Sequence, residues 1–147
     1  MSFERHKKIL CDTDRAGVYR APKRDMAALL AAAKICGFAI HRIDLSAVRD
    51  KTTLMERLAA ALKFPDWFGH NWDALADCLS DLSWLPAGGH VLLLEHCDDL
   101  HAAHTENFVT ALQVFAAAAD TWRAENVPFW VLIDVRADTM ADFPEPR

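Results

Sequence analysis

Asp73, Asp77 and Asp81 recur at every fourth position, His70 stands just ahead of them, and no lysine or arginine occurs from Phe64 through Trp122. Two kinds of chemistry suit such a set. A histidine beside carboxylates one helical turn apart offers donors to a divalent cation, so His70, Asp73 and Asp77 form a candidate site for metal-dependent phosphoester hydrolysis. Without a metal, the same column of carboxylates is an anionic edge that can take the place of phosphate in front of a cationic protein. A phosphoesterase needs cations around its substrate, and none is near in sequence, which favours the second chemistry.

The wider charge distribution points the same way. The chain carries −5 overall, against −9 between Phe64 and Trp122, which leaves +4 for the remainder. A field of that sign repels phosphate backbones and attracts basic surfaces, so direct nucleic-acid binding is not expected of this half and a basic protein partner is. The surrounding segment, FPDWFGHNWDALADCLSDLSW, adds Trp67, Trp72 and Trp84. Aromatic anchors beside carboxylates have the composition of a binding hot spot, while a tryptophan taken singly is as well suited to the core.

The elements that must hold these residues can be read from local signals. Gly17 to Arg20 fits a short strand, and Pro22 opens a helical run with Asp25 in its first turn, ended by Gly37. A strand over 38–45 precedes a helix over 51–63 whose buried stripe is Leu54, Met55, Leu58 and Leu62. Pro65 breaks that helix, Gly69 permits a further turn, and Asn71 caps a helix running to about Ser83. In it Leu75, Cys78, Leu79 and Leu82 face inward, and the three aspartates fall on a different face. Val91 to Glu95 and Phe129 to Val135 are short, almost uniformly apolar runs of the kind buried on both faces of a parallel sheet. Between them a helix starts at Thr105-Glu106 with a stripe of Phe108, Val109, Leu112, Phe115 and Ala119.

Strand and helix alternate, so the expected fold class is α/β, a parallel sheet with helical crossovers. The 147 residues suit one domain, with residues 1–12 and 138–147 expected as loose tails. Cys11, Cys36, Cys78 and Cys97 show no metal spacing and read as reduced thiols. His96, Cys97, His101 and His104 lack the fixed spacing of a structural zinc site and read as a surface loop and a helix start. No phosphate loop, nucleophile elbow or H-E-x-x-H occurs, so no cofactor and no resident metal are expected. MSFERHKKIL is charged where a signal peptide is apolar, and no window is long enough to span a membrane, so the expected location is cytoplasmic.

The stretch P-D-W-F-G-H-N-W-D-A-L-A-D-C-L closely resembles the signature of the barstar family, intracellular inhibitors of secreted bacterial ribonucleases. The likeness extends more weakly from Phe38 to Val135, through V-L-L-L-E and A-L-Q-V-F, and leaves residues 1–37 outside. It implies a barstar-like core over 38–135, an N-terminal extension over 1–37 that adds a strand and a helix, and a C-terminal tail over 136–147. It also implies that the loop and acidic helix plug a ribonuclease active site. By position, Asp73 and Asp77 match the two acidic contacts of the helix, Trp67 replaces an aromatic contact of the loop, and Gly69, Asn71 and Trp72 fall on neighbouring contact positions. Trp84 matches an interface tryptophan after a short insertion, and Cys78 a buried helix residue.

Two positions depart from the family pattern. Its acidic contact on the later helix falls on alanine, at or near Ala117, and a helix tryptophan becomes Ala76. The expected partner is therefore a basic, barnase-like ribonuclease or a related toxin. A barstar-fold module for another basic protein and the His70/Asp73/Asp77 hydrolase stand as alternatives.

Overall fold

The computed structural model describes residues 2–136 and 141–143. Its strands are β1 (Val18–Arg20), β2 (Ala39–Asp44), β3 (His90–Glu95) and β4 (Phe129–Ile133), and its helices are α1 (Ser2–Leu10), α2 (Met26–Ile35), α3 (Lys51–Leu62), α4 (Trp72–Asp81), α5 (Asp98–Ala103) and α6 (Thr105–Ala124). The strands form one all-parallel sheet in the order β1-β4-β3-β2. The two most apolar runs lie at its centre, where both faces are covered.

Alternation along β3 and β4 divides the interior in two. Leu92, Leu94, Phe129, Val131 and Ile133 face a core shared with Leu54, Met55, Leu58 and Leu62 of α3, Leu75, Cys78 and Leu79 of α4, and Phe108, Ala111 and Phe115 of α6. Val91, Leu93, Trp130 and Leu132 face the opposite way, into a second core with Ile9 and Leu10 of α1 and Leu29, Ala32 and Ala33 of α2. The parallel α/β class is as expected, with helices on both faces of the sheet.

The N-terminal segment is the largest departure from the sequence reading. Residues 2–10, expected as part of a loose tail, form α1, which buries His6, Ile9 and Leu10. The Trp130 indole N–H donates to the Leu10 carbonyl at 3.0 Å. Near the other terminus Phe143 is buried, its ring 5.4 Å from that of Trp130, and Asp142 pairs with Arg20 at 2.6 Å. The remainder of the expected C-terminal tail, 137–140 and 144–147, lies outside the described residues.

Smaller differences have local causes. α2 begins at Met26 rather than at Pro22, after Asp25 in a left-handed conformation, φ 62°. In α6 the buried residues are Phe108, Ala111, Phe115, Ala118 and Ala119, and the expected Leu112 packs against them partly buried, whereas Val109 is 45% exposed. Gly37 takes the left-handed conformation expected of it, φ 82°. Gly89 is required for another reason, since a Cβ there would lie 2.7 Å from the Phe38 ring.

At the start of β3, His90 is buried beside Trp122 and Phe129 and stacks on His41, with ring nitrogens 3.4 Å apart. Burial, reinforced by the neighbouring His41, pulls the His90 imidazole down to about 4. An unfolded chain titrates this group near 6.5. The native state thus disfavours the charged ring, and the stability tied to its neutral form is present above pH 6.5 and lost as pH falls towards 4. Between pH 7 and pH 5 this amounts to about 2 kcal/mol. Urea unfolding of the wild type at the two pH values should show that loss, and His90→Gln should flatten it.

Candidate partner-binding surface

The loop between α3 and α4 is fixed from the inside. α3 ends on Lys63 in a left-handed conformation, φ 54°, and the Phe68 amide donates to the Pro65 carbonyl at 3.0 Å to close a turn. Phe68 is buried against Phe64, with ring centroids 4.8 Å apart, which leaves its neighbour Trp67 62% exposed. Gly69 follows, exposed, but the turn expected of it falls one residue later: His70 takes the left-handed conformation, φ 54°. The His70 ring covers Phe68, and its Nδ1–H donates to the Phe68 carbonyl at 3.1 Å. An imidazole held in this way offsets the backbone cost of about 1–2 kcal/mol that a non-glycine residue meets there.

Asn71 starts α4 as expected. Its Oδ1 accepts from the Ala74 amide at 2.8 Å, and its Nδ2 donates to the Gly69 carbonyl at 3.3 Å, so one side chain ties the loop to the first turn of the helix. Asn71→Ala should therefore cost about 1 kcal/mol of stability, read as a lower thermal midpoint, with Asn71→Asp retaining most of it.

α4 is mounted on Leu75, Cys78 and Leu79, all at 0% exposure. Behind it, the Trp122 indole of α6 donates to the Leu79 carbonyl at 2.8 Å. The helix ends at Asp81, two residues short of the expected Ser83, because Leu82 turns left-handed, φ 46°, and enters the core. Asp73, Asp77 and Asp81 are all exposed on the outer face. Burial first, then the charges of Asp77 and Asp81, raise the Cys78 thiol above its ordinary value, so it stays protonated and structural.

The three tryptophans have different settings. Trp67 projects outward. Trp72 is partly buried against the core, with Lys51 Nζ 5.5 Å from its ring centroid. Trp84 is also partly buried, its indole N–H donates to the Leu62 carbonyl at 2.9 Å, and its ring meets Phe64 edge-on. Trp84 thus braces the end of α3 while keeping part of its ring at the surface. Lys51 is the neighbour that sequence order concealed: it is the first residue of α3, and folding returns it to the start of α4. Ala117 is exposed on α6, and Ala76 is half-buried on α4.

Among the described residues, no group of three or more histidine, cysteine, aspartate or glutamate side chains is arranged to hold a metal ion. His70, Asp73 and Asp77 therefore do not converge as a ligand set, and neither do His96, Cys97, His101 and His104. Cys97 is buried, with its thiol directed to the Leu94 carbonyl, and His101 stands edge-on to Phe108. Among the described residues, no helix is long and apolar enough to cross a membrane.

The family model of barstar, the barnase inhibitor, matches residues 38–134. The chain belongs to the barstar family. That match starts one residue before β2 and ends one residue after β4, so it takes in the acidic helix, its loop and the core beneath them. The helices α1 and α2 and the edge strand β1 lie outside it. No curated protein matches the chain significantly. Barstar is a protein inhibitor of a ribonuclease, so the family supports a protein-binding role.

Proposed function

We propose that the protein is an intracellular inhibitor of a basic ribonuclease, or of a related toxin, that it acts in the cytoplasm, and that it blocks the cationic active site of its target without performing chemistry itself. The observation that carries this reading is the exposed column of Asp73, Asp77 and Asp81 on a helix whose other face is fully buried, beside the exposed Trp67. A ribonuclease gathers cationic groups around the scissile phosphate. A rigid row of carboxylates replaces that phosphate with little reorganisation, because the backbone is already ordered when the partner arrives.

In this reading Asp73 and Asp77 supply the central contacts and Trp67 the aromatic anchor. Gly69 and Asn71 shape the loop, Trp72 and the surface edge of Trp84 complete the footprint, and Asp66 and Asp81 lie at its rim. Titrating the protein into barnase acting on a fluorogenic RNA tests this directly, with stoichiometric loss of turnover as the expected result. The alanines at positions 76 and 117, where the family resemblance places a tryptophan and a carboxylate, favour one second reading, a shifted target. Full turnover of barnase together with tight binding to a different basic toxin would select that reading.

A further inference from the structure

Cys11 and Cys36 lie 25 residues apart in sequence, yet their sulfurs are 3.2 Å apart. Both are free thiols, each fixed at the end of a helix. The Cys11 amide donates to the Lys7 carbonyl just beyond α1, and the Cys36 amide to the Ala32 carbonyl at the end of α2. A disulfide needs sulfurs at about 2.05 Å, so closing the gap takes little more than about 1 Å of side-chain movement. Neither thiol belongs to the partner-binding surface, which lies on the other side of the sheet.

We propose that Cys11 and Cys36 are a redox-active dithiol that closes to an intramolecular disulfide by exchange with a small disulfide such as oxidised glutathione. The order of attack follows from exposure. Cys11 is exposed and opens on a groove of about 540 Å3 lined by Glu4, Arg5, Lys7 and Lys8, whose three cations attract an anionic disulfide. Cys36 is half-buried, and burial, then the hydrogen bond and charge of Cys11, push its thiol up to about 11. The Cys11 thiolate therefore attacks first, forming a mixed disulfide and releasing one small thiolate. Cys36 then loses its proton and attacks the Cys11 sulfur, which expels the second small thiolate. Two protein thiols are oxidised, one small disulfide is reduced to two thiols, and the protons go to those products. The bond ties α1 to α2 and closes the chain around β1, so it staples the layer that lies outside the family match.

Incubating the full chain with oxidised glutathione, followed by alkylation, mass measurement and peptide mapping, tests this. The expected product is a monomer lighter by two hydrogens, with a Cys11–Cys36 crosslink and with Cys78 and Cys97 still alkylated after unfolding. Cys36→Ser should instead accumulate a stable glutathione adduct on Cys11, and Cys11→Ser should lose the crosslink. A wild-type chain that keeps glutathione on Cys11, that crosslinks between molecules, or that resists oxidation overturns the proposal.

Discussion

Asp77→Ala should weaken binding to the target ribonuclease by about 3–5 kcal/mol, which is about a hundredfold to a few thousandfold in Kd. In a complex of the proposed kind a carboxylate on α4 meets a cation that is desolvated with it, and truncating one member leaves the other buried without its partner. The free protein should not suffer. Asp77 is the middle of the column, with Asp73 and Asp81 one turn away on either side, so its removal relieves two like-charge pairs of about 0.2–0.5 kcal/mol each. Asp73→Ala relieves only one pair, and it forfeits about 0.3–1 kcal/mol from the positive end of the helix dipole. The pair of variants thus separates binding from folding: Asp77→Ala loses affinity with a thermal midpoint equal to or above that of the wild type. Calorimetry against barnase, with a melt of each free protein, measures both. Equal affinities for wild type and Asp77→Ala would remove α4 from the contact.

The parts of this surface that were legible beforehand depend on neighbours close in sequence. Leu75, Cys78 and Leu79 repeat at helical spacing, so the outward placement of Asp73, Asp77 and Asp81 follows from periodicity alone. The Asn71 cap is a matter of three residues, and the short apolar runs at 91–94 and 129–133 point to a sheet covered on both faces.

What was not legible depends on distant residues. A left-handed leucine is locally unfavourable by about 1–2 kcal/mol, and Leu82 adopts that conformation because full burial returns about 1.5–3 kcal/mol. The settings of Trp72 and Trp84 are decided by Lys51 and by the Leu62 carbonyl, both on α3. Lys51 also qualifies the charge asymmetry: a stretch without cations in sequence has one at its edge in space. The approach of Cys11 to Cys36 is equally invisible locally, since it exists only once α1 and α2 have packed.

Truncation to a chain beginning at Phe38, where the family match begins, should abolish a monomeric, cooperatively folding protein. Three losses coincide. Without β1, the edge of β4 presents unpaired backbone groups to solvent and to other chains. Without α1 and α2, Val91, Leu93, Trp130 and Leu132 become a contiguous apolar face. The Trp130 indole also loses the Leu10 carbonyl. A graded series in the full chain isolates the last term. Trp130→Phe keeps an aromatic ring but orphans the Leu10 carbonyl, for about 1–3 kcal/mol, whereas Trp130→Ala adds a cavity and should cost about 3–5 kcal/mol. Size-exclusion chromatography and thermal melts distinguish the outcomes. A truncated chain that stays monomeric and melts in one sharp transition would make residues 1–37 an accessory. Aggregation of that chain, together with a cooperative but weakened Trp130→Phe, would show that the core matched by the family is completed on its second face by the segment outside that match.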